Sequence, residues 1–523
     1  MINYAWRGEM LVLGHTKPRV FTKPLDPHSP GHQYAGLPKE SFGYEVIDFA
    51  RDVLKSPLDE WEEEAVIRGG ELLPGGLRRF TIVLIIAARR NGKTHIAKVL
   101  TLYWQFKKQI PLTIITSTDL PLAIEVWKEG IDLADACPEL NDDHEPDEEW
   151  HRHGGALGHY SITKHGAKVS PRAPTTKAGR GGNVHRALLD ELRLHLNYAC
   201  WSALTYAGGS VRDFQAWATT NAGSERSIVL NDLHKGAIEY IESGGEMGDS
   251  SVCLLEWSCE RGDDPLNPEH LAKANPNMNR HGDDRGPWSD DLIKKGKAAI
   301  VAGGPKLAEH LTEAMCLSVP SMNPAYNPEH WKLCADPGML LGVVRNLAMC
   351  LDIAPGNRHA ALIVAGVLPD GRVRAKTVKD WDGVRAVDSM RRELNQLLVK
   401  FRPRVLGWLP GGPGATFMAD AKKLALPAGT ELVPIQGELA AVCMSLEEQI
   451  NSHLIAHDGS NDELLSDHVL AAEKRERDDG TWVIGRKGGV CEGAYALAGA
   501  VYLARTLPAP LSMTLPTPGI LNK

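Results

Sequence analysis

The stretch that most constrains this chain is residues 80–94, an apolar run that passes directly into Ala87-Ala88-Arg89-Arg90-Asn91-Gly92-Lys93-Thr94. Residues 81–87 are rich in β-branched side chains and predict a buried strand, while residues 95–103 have the apolar spacing of a helix. The loop between them is close to the phosphate-binding pattern of Gly, four residues, Gly-Lys-Ser/Thr, with Ala87 in place of the first glycine. Asn91, Gly92 and Lys93 can turn backbone amides toward a phosphate, and the helix N-terminus adds partial positive charge. Arg89 and Arg90 lie in the same nucleotide-binding stretch. Lys93 would neutralise the β- and γ-phosphates, and the Thr94 hydroxyl would ligate the Mg²⁺ of bound nucleotide. The alternative for these residues is an ordinary surface turn after a core strand.

At 523 residues the chain is too long for one usual core, so two large domains are expected. An apolar content of 43% and a charged content of 24% are ordinary for a globular protein. A formal charge of -8 argues against wholesale coating of a polyanion but leaves room for a local basic track. The nine cysteines are scattered without a close metal-ligand pair and read as reduced structural thiols of a cytoplasmic protein. No stretch resembles a signal peptide, and the apolar runs are too short to span a bilayer.

Residues 1–41 have many Pro, Gly and Lys residues and little periodicity, and predict an arm lying over a domain surface. Residues 42–54 have amphipathic-helix spacing. Trp61, upstream of the loop, is either a packed core residue or a face for adenine. Residues 111–117 and 119–130 predict a second strand and helix, as in a parallel sheet covered by helices. The acidic, His-rich stretch 141–159 reads as an exposed insertion, with His151, His153 and His159 in no convincing zinc geometry. Ala187-Leu188-Leu189-Asp190-Glu191 is a short apolar strand ending in two acids. In a nucleotide-hydrolysing sheet the first acid holds the Mg²⁺ shell and the second polarises the attacking water, so the two must leave the strand end in different directions. Read alone, the pair is as often a solvated strand end. Arg186 and His195 beside it are either structural or nucleic-acid contacts. Residues 216–220 predict a strand ending in Thr219-Thr220-Asn221-Ala222-Gly223, whose polar groups can sense a γ-phosphate. No sequence argument selects Arg226 as a trans-acting arginine over Arg89, Arg90 or Arg212.

Over residues 256–345 the composition turns to Asp, Asn, Pro and charged residues, which reads as a bridge between domains, with Asn275-Pro276 a turn and 307–315 a connecting helix. A second domain then begins with strand 347–352, which reaches Asp352. Strands 360–368 and 372–379 give it the antiparallel start of a mixed sheet. Strand 405–409 leads into a glycine-rich turn at Pro410, strand 432–435 follows, and Glu438 comes shortly after. His468 is placed at the start of a helix, Trp482-Val483-Ile484 form a strand before Arg486 and Lys487, and Glu492 heads an Ala-rich helix over 493–505. Asp352 and Glu492 can converge only through the fold. Residues 506–523 read as an unstructured Pro-containing tail.

The ordered set resembles the large terminase subunit of tailed double-stranded DNA phages, of the type common in phages of actinobacteria. The likeness runs over about residues 19–505. It includes Phe42-Gly43-Tyr44-Glu45-Val46-Ile47-Asp48-Phe49-Ala50, the loop from Arg89 to Thr94, Leu189-Asp190-Glu191, and Thr219-Thr220-Asn221-Ala222-Gly223. It continues through Lys273-Ala274-Asn275-Pro276, Asp352, Gly407-Trp408-Leu409-Pro410-Gly411-Gly412-Pro413 and the Ala-rich terminal helix. The resemblance implies an α/β protein in two parts: an N-terminal P-loop ATPase domain with a mainly parallel sheet over 42–255, and a C-terminal RNase H-like mixed-sheet nuclease domain over 346–505. An arm over 1–41, a bridge over 256–345 and a tail over 506–523 complete the scheme.

By the same resemblance, Lys93 and Thr94 bind ATP and Mg²⁺, Asp190 completes the Mg²⁺ site, Glu191 activates water, and Thr219, Thr220 and Asn221 couple hydrolysis to DNA movement. Asp352 matches the first acid of a nuclease that uses two Mg²⁺ or Mn²⁺ ions. The sequence departs from the pattern at Val405 to Leu409, where relatives end the strand in Asp and this chain has Gly407-Trp408-Leu409-Pro410. Glu438 is the candidate replacement. Glu492 stands where the family has an acid, and His468 is a further ligand or a packed histidine. The implied partners are double-stranded DNA contacted through its phosphates, the portal protein of a procapsid, a small terminase subunit, and further copies of this chain in a ring. No membrane is implied; the expected place is the host cytoplasm, docked on the procapsid. Arg486 and Lys487 are candidates for the basic track. Two competing readings are a translocase whose second domain holds DNA without cutting it, and a non-enzymatic portal or scaffold protein.

Overall fold

The computed structural model describes residues 5–6, 9–141, 151–154, 158–163, 165–281, 287–338, 345–410, 412–420, 426–435, 439–486 and 490–507. The chain divides into two compact units, Met1–Val319 and Pro320–Lys523.

The strands of the first unit are β1 Ala5–Trp6, β2 Glu9–Met10, β3 Val20–Phe21, β4 Ile82–Ile86, β5 Leu112–Thr116, β6 His151–His153, β7 Tyr160–Ile162, β8 Lys168–Pro171, β9 Arg186–Asp190, β10 Gln215–Thr220 and β11 Val252–Glu256. β1 and β2 pair with each other, and the others form one sheet in the order β3-β11-β4-β10-β9-β5-β8-β7-β6. From β11 to β8 the strands run parallel. A parallel sheet is covered on both faces, which is why its strands read as unbroken apolar runs. In β4 every side chain is buried. Val83 and Ile85 enter one core with Trp61, Trp104 and Trp217, while Ile82, Leu84 and Ile86 enter the opposite one with Leu189 and Leu254. That split is the period of two expected of a strand.

Trp61 is fully buried and meets Trp257 edge to face at 5.1 Å. Of its two sequence readings the packed one holds, and its ring has no open face for adenine. The helix expected over 42–54 begins as Gly43–Asp48 and continues as a π-helical turn, Phe49–Val53.

The bridge expected over 256–345 is corrected by the structure. Helices Pro268–Ala274, Trp288–Ala302 and Gly304–Glu313 belong to the first unit. The Asn-rich composition that reads as a linker instead supplies interior hydrogen bonds. Asn275, Asn277 and Asn279 are all buried, and the Asn275 amide donates to the carbonyls of Leu271 at 2.8 Å and Ala314 at 2.7 Å. The arm also takes part in the fold: β3 adds antiparallel to β11, and Arg19 pairs with Glu256 at 3.0 Å.

The second unit contains β12 Arg345–Ile353, β13 His359–Val367, β14 Val373–Asp382, β15 Val405–Trp408, β16 Glu431–Pro434, β17 Ile455–Ala456, β18 Lys474–Glu476 and β19 Trp482–Ile484. Its main sheet has the order β16-β15-β12-β13-β14-β17, and β18 pairs with β19. β12, β13 and β14 are antiparallel neighbours, whereas β15 runs parallel to β12 and β16 parallel to β15, so the sheet is mixed as expected. Helix Glu492–Thr506 lies against it. Small residues allow the close approach: a Cβ on Gly499 would fall 2.4 Å from Cys350 Sγ, and one on Gly407 would fall 2.3 Å from Leu503 Cδ1. The Ala-rich composition of this helix is therefore a packing requirement. His468 lies in the last turn of helix Glu463–Ala471, not at a helix start.

All nine cysteines are free and buried. Among the described residues no helix is long and apolar enough to cross a membrane.

A Gly499→Val chain should lose about 1–3 kcal/mol of stability, the usual cost of overpacking, read as a lower urea midpoint. Gly356→Ala, at a turn with nothing within 4 Å of the added Cβ, should leave the midpoint unchanged.

Candidate functional site

The candidate phosphate loop joins the end of β4 to helix Lys93–Leu102. Gly92 precedes that helix with φ 98, a left-handed conformation suited to glycine. A Cβ there would also lie 2.4 Å from Glu62 Oε1. Glu62 is fully buried; its Oε2 accepts from the Asp59 amide and contacts His95 Nδ1, each at 2.9 Å. The loop is held from outside by amide side chains. Asn91 Oδ1 accepts from the Asn277 backbone at 3.0 Å, Asn277 Nδ2 donates to the Asn91 carbonyl at 2.9 Å, and Asn91 Nδ2 donates to the Ala88 carbonyl at 3.0 Å. The Ala88 amide in turn donates to Ala274 O at 3.0 Å. Sequence reasoning singled out Asn275-Pro276 as a turn but missed the role of Asn277.

Lys93 is buried, and its ammonium donates to the carbonyls of Ala87 at 2.7 Å and Ala88 at 2.9 Å. Burial pushes its pKa down, with Glu191 foremost among the groups that oppose the shift. Thr94 follows as the second residue of the helix. Arg89 pairs with Glu313 at 2.9 Å, and Arg90 takes up a left-handed φ of 66.

Asp190 ends β9, and β10 lies between β9 and β4. Thr220 is in register with Ile86, and Thr219 with Asp190, so the loop, the threonines and the acids share the C-terminal end of three adjacent strands. Thr219 Oγ1 donates to Asp190 Oδ1 at 2.7 Å. Burial pushes the Asp190 carboxyl pKa up, and the Thr219 hydroxyl pulls the other way. Glu191 adopts a left-handed φ of 53 and its carboxylate meets Arg193 Nε at 3.2 Å. The two acids thus leave the strand end toward different partners. The Asn221 amide donates to Thr312 O at 3.1 Å. Arg186 is structural: it is fully buried and paired with Asp213 at 2.9 Å. His195 is buried as well.

This donor set fits a Mg²⁺–nucleotide. Helix N-terminal amides and a buried ammonium suit the phosphates, and Thr94 and Asp190 are the hard oxygen donors that would hold the metal.

The second unit gives a different answer. Asp352, buried near the end of β12, receives both Nη1 and Nη2 of Arg486 at 2.7 Å. Burial pushes its carboxyl up to about 6, against the pull of Arg486. Arg486 is therefore an internal partner and not part of an exposed basic track; Lys487 lies outside the described residues. Glu492 meets His359 Nδ1 at 3.2 Å. His468 packs edge-on to His359 and accepts from the Gly493 amide at 2.9 Å. Trp408 is in register with Leu351, one residue short of Asp352, and the next residue, Leu409, is buried. The strand end that could carry a second acid is apolar, and Glu438 lies outside the described residues. Among the described residues no group of three or more His, Cys, Asp or Glu side chains could hold a metal ion. With Arg486 on Asp352, the described residues do not fit a bound ion.

No family model matches the chain. A stretch of 102 residues is 28% identical to the protein YmfN of Escherichia coli strain K12, covering 20% of this chain and 22% of that protein. Among solved structures, the large terminase of bacteriophage HK97 is similar, with TM-score 0.48 and 16% identity over 88% of this chain and 99% of that chain. The large terminase of a thermophilic bacteriophage in complex with ATP-γ-S gives TM-score 0.30 and 11% identity over 90% of this chain and 99% of that chain. The large terminase nuclease of the thermophilic phage G20c with bound magnesium gives TM-score 0.27 and 15% identity over 35% of this chain and 98% of that chain.

Replacing Arg486 by Met strands a buried carboxylate. Breaking such pairs costs up to about 3–5 kcal/mol, and the partial exposure of Arg486 puts the loss here at about 2 kcal/mol. The folded carboxyl is raised from 3.8 to about 6, so the stability contributed by its protonated form is present below pH 3.8 and lost as pH rises through 6. The gap between wild type and Arg486→Met should therefore be widest above pH 6 and close toward pH 4, as read by urea unfolding across that range.

Proposed function

We propose that this chain is the large terminase subunit of a tailed double-stranded DNA phage, of the type found in phages of actinobacteria. On this reading it couples ATP hydrolysis to the movement of double-stranded DNA into a procapsid. The observation that carries the reading is that Lys93 and Thr94, at a helix N-terminus after β4, and Asp190 and Glu191, across β10, lie at the same C-terminal end of the parallel strands.

On this account Lys93 exchanges the Ala87 and Ala88 carbonyls for the β- and γ-phosphates, while the amides at Gly92 and Lys93 orient the phosphate chain. Thr94 and Asp190 would hold Mg²⁺, which would supply charge neutralisation for the phosphates. Glu191, turned away from Asp190, orients the attacking water and accepts its proton. Loss of the γ-phosphate is felt at Thr219, Thr220 and Asn221, the last of which is bonded to the helix ending at Glu313. DNA is gripped through its phosphates, since a packaging motor has to pass every sequence. The partners are a portal protein, a small terminase subunit and further copies of this chain in a ring, acting in the host cytoplasm on a procapsid.

For the second unit, the family resemblance points to an RNase H-like nuclease for concatemeric DNA; Asp352 and Glu492, with Glu438 and His468 as further candidates, would hold Mg²⁺ or Mn²⁺ there only once Arg486 has left Asp352. A second reading, in which this unit holds DNA without cutting it, is favoured by the bidentate Arg486–Asp352 contact and the apolar end of β15.

Glu191→Ala should reduce ATP turnover by about 100-fold or more, the usual range for a lost general base, with nucleotide still bound, and Lys93→Ala should abolish nucleotide binding. Unchanged turnover in both variants would overturn the ATPase assignment. Plasmid nicking with Mn²⁺ that disappears in Asp352→Ala selects the nuclease reading for the second unit. A wild type that turns over ATP and never nicks selects the DNA-holding one.

A further inference from the structure

The turn after β9 contains an arginine that no motif marks. Arg193 is mostly buried, and two other elements and its own turn hold it. Its backbone amide donates to Thr220 Oγ1 at the end of β10 at 3.1 Å. Its Nη2 donates to Glu313 Oε1 at 3.0 Å, and its Nε donates to Glu191 Oε2 at 3.2 Å. Glu313, the last residue of helix Gly304–Glu313, also takes Arg89 of the phosphate loop on its other oxygen. The guanidinium therefore lies between two carboxylates, one fixed by a helix end and one at the tip of a left-handed turn.

A glutamate side chain has several rotatable bonds, and holding it in one place costs conformational entropy. Glu191 has a left-handed φ of 53 and a side chain that is still partly exposed. The rigid planar fork of Arg193 removes that freedom, because the same group is anchored to Glu313 and to β10. Glu313 itself is held below the usual carboxylate range: burial alone would raise it, and Arg89 and Arg193 outweigh that. It stays charged and serves as a fixed post.

We propose that Arg193 is a positioning residue that places the Glu191 carboxylate for water activation, with Glu313 as its anchor. This rests on the ATPase reading above and deepens it. Arg193 acts through Glu191, which touches water and not the nucleotide, so its loss weakens the transition state without changing ground-state binding. Glu313 acts through Arg193, so the two effects do not multiply.

The test is ATP turnover and nucleotide affinity for wild type, Arg193→Gln, Glu313→Gln, the double variant and Arg193→Lys, with Lys93→Ala as a control. Arg193→Gln should lower kcat about tenfold, equivalent to one well-placed interaction, with KM and ADP affinity within about twofold of wild type. Glu313→Gln should lower kcat less, the double variant should match Arg193→Gln, and Arg193→Lys should recover part of the loss. A kcat for Arg193→Gln within about twofold of wild type, an equal loss in ADP affinity, or a multiplicative double variant would each overturn the proposal. If Arg193→Gln does not fold, Glu313→Gln still decides through its kcat-to-KM split. Should wild type neither hydrolyse ATP nor bind ADP in a Lys93-dependent way, the ATPase reading fails and this one with it.

Discussion

An ammonium group kept out of water at the end of a parallel strand is the constraint on which the first unit depends. Burying a cation is costly unless polar atoms surround it, and here the Ala87 and Ala88 carbonyls do so. Those carbonyls can point inward because the loop is held open by groups outside it. Asn277 bonds Asn91 from both its backbone and its side chain, and the Ala87 amide donates to Thr220 O at 3.1 Å. Gly92 alone fits beside the buried Glu62. The result is a buried cation held by neutral acceptors, which under the proposed function it exchanges for a phosphate. The parallel sheet then places Asp190 and Glu191 at the same end, with β10 and its two threonines between.

The second unit resolves a similar problem differently. A carboxylate buried at the end of β12 must be paired or neutralised, and Arg486 pairs it on both oxygens. Around it the fold is governed by close approach, since Gly407, Gly499 and the alanines of the last helix let that helix sit directly on the sheet. An acid at a strand end that is held by an internal guanidinium is a different object from one left open to solvent and ions.

The strand, turn and helix around Gly92 were legible in the sequence because their signals are local: an unbroken apolar strand, Gly-Lys-Thr, then helical spacing. Asp190-Glu191 was legible for the same reason, as was the order of strands β12 to β16. The supporting shell was not. Asn91 and Asn277 are 186 residues apart, and Arg193 and Glu313 are 120 apart, so no spacing rule links them. Residues 256–319 misled because side-chain amides that satisfy a buried backbone have the same composition as a solvated linker. Arg486 misled in a similar way: beside Lys487 it reads as a charge run on a surface, and only the tertiary fold brings it to Asp352. The missing acid at Trp408 and Leu409 was visible from the sequence, and the strand end is apolar in the fold as well.

The most direct test of the central claim is a crystal structure of the full chain with ATP-γ-S and Mg²⁺. The account predicts the β-phosphate at the backbone amides of Gly92 to Thr94, with Lys93 Nζ moved from the Ala87 and Ala88 carbonyls onto phosphate oxygen. Nucleotide bound elsewhere on the chain, with Lys93 still on both carbonyls, would contradict it.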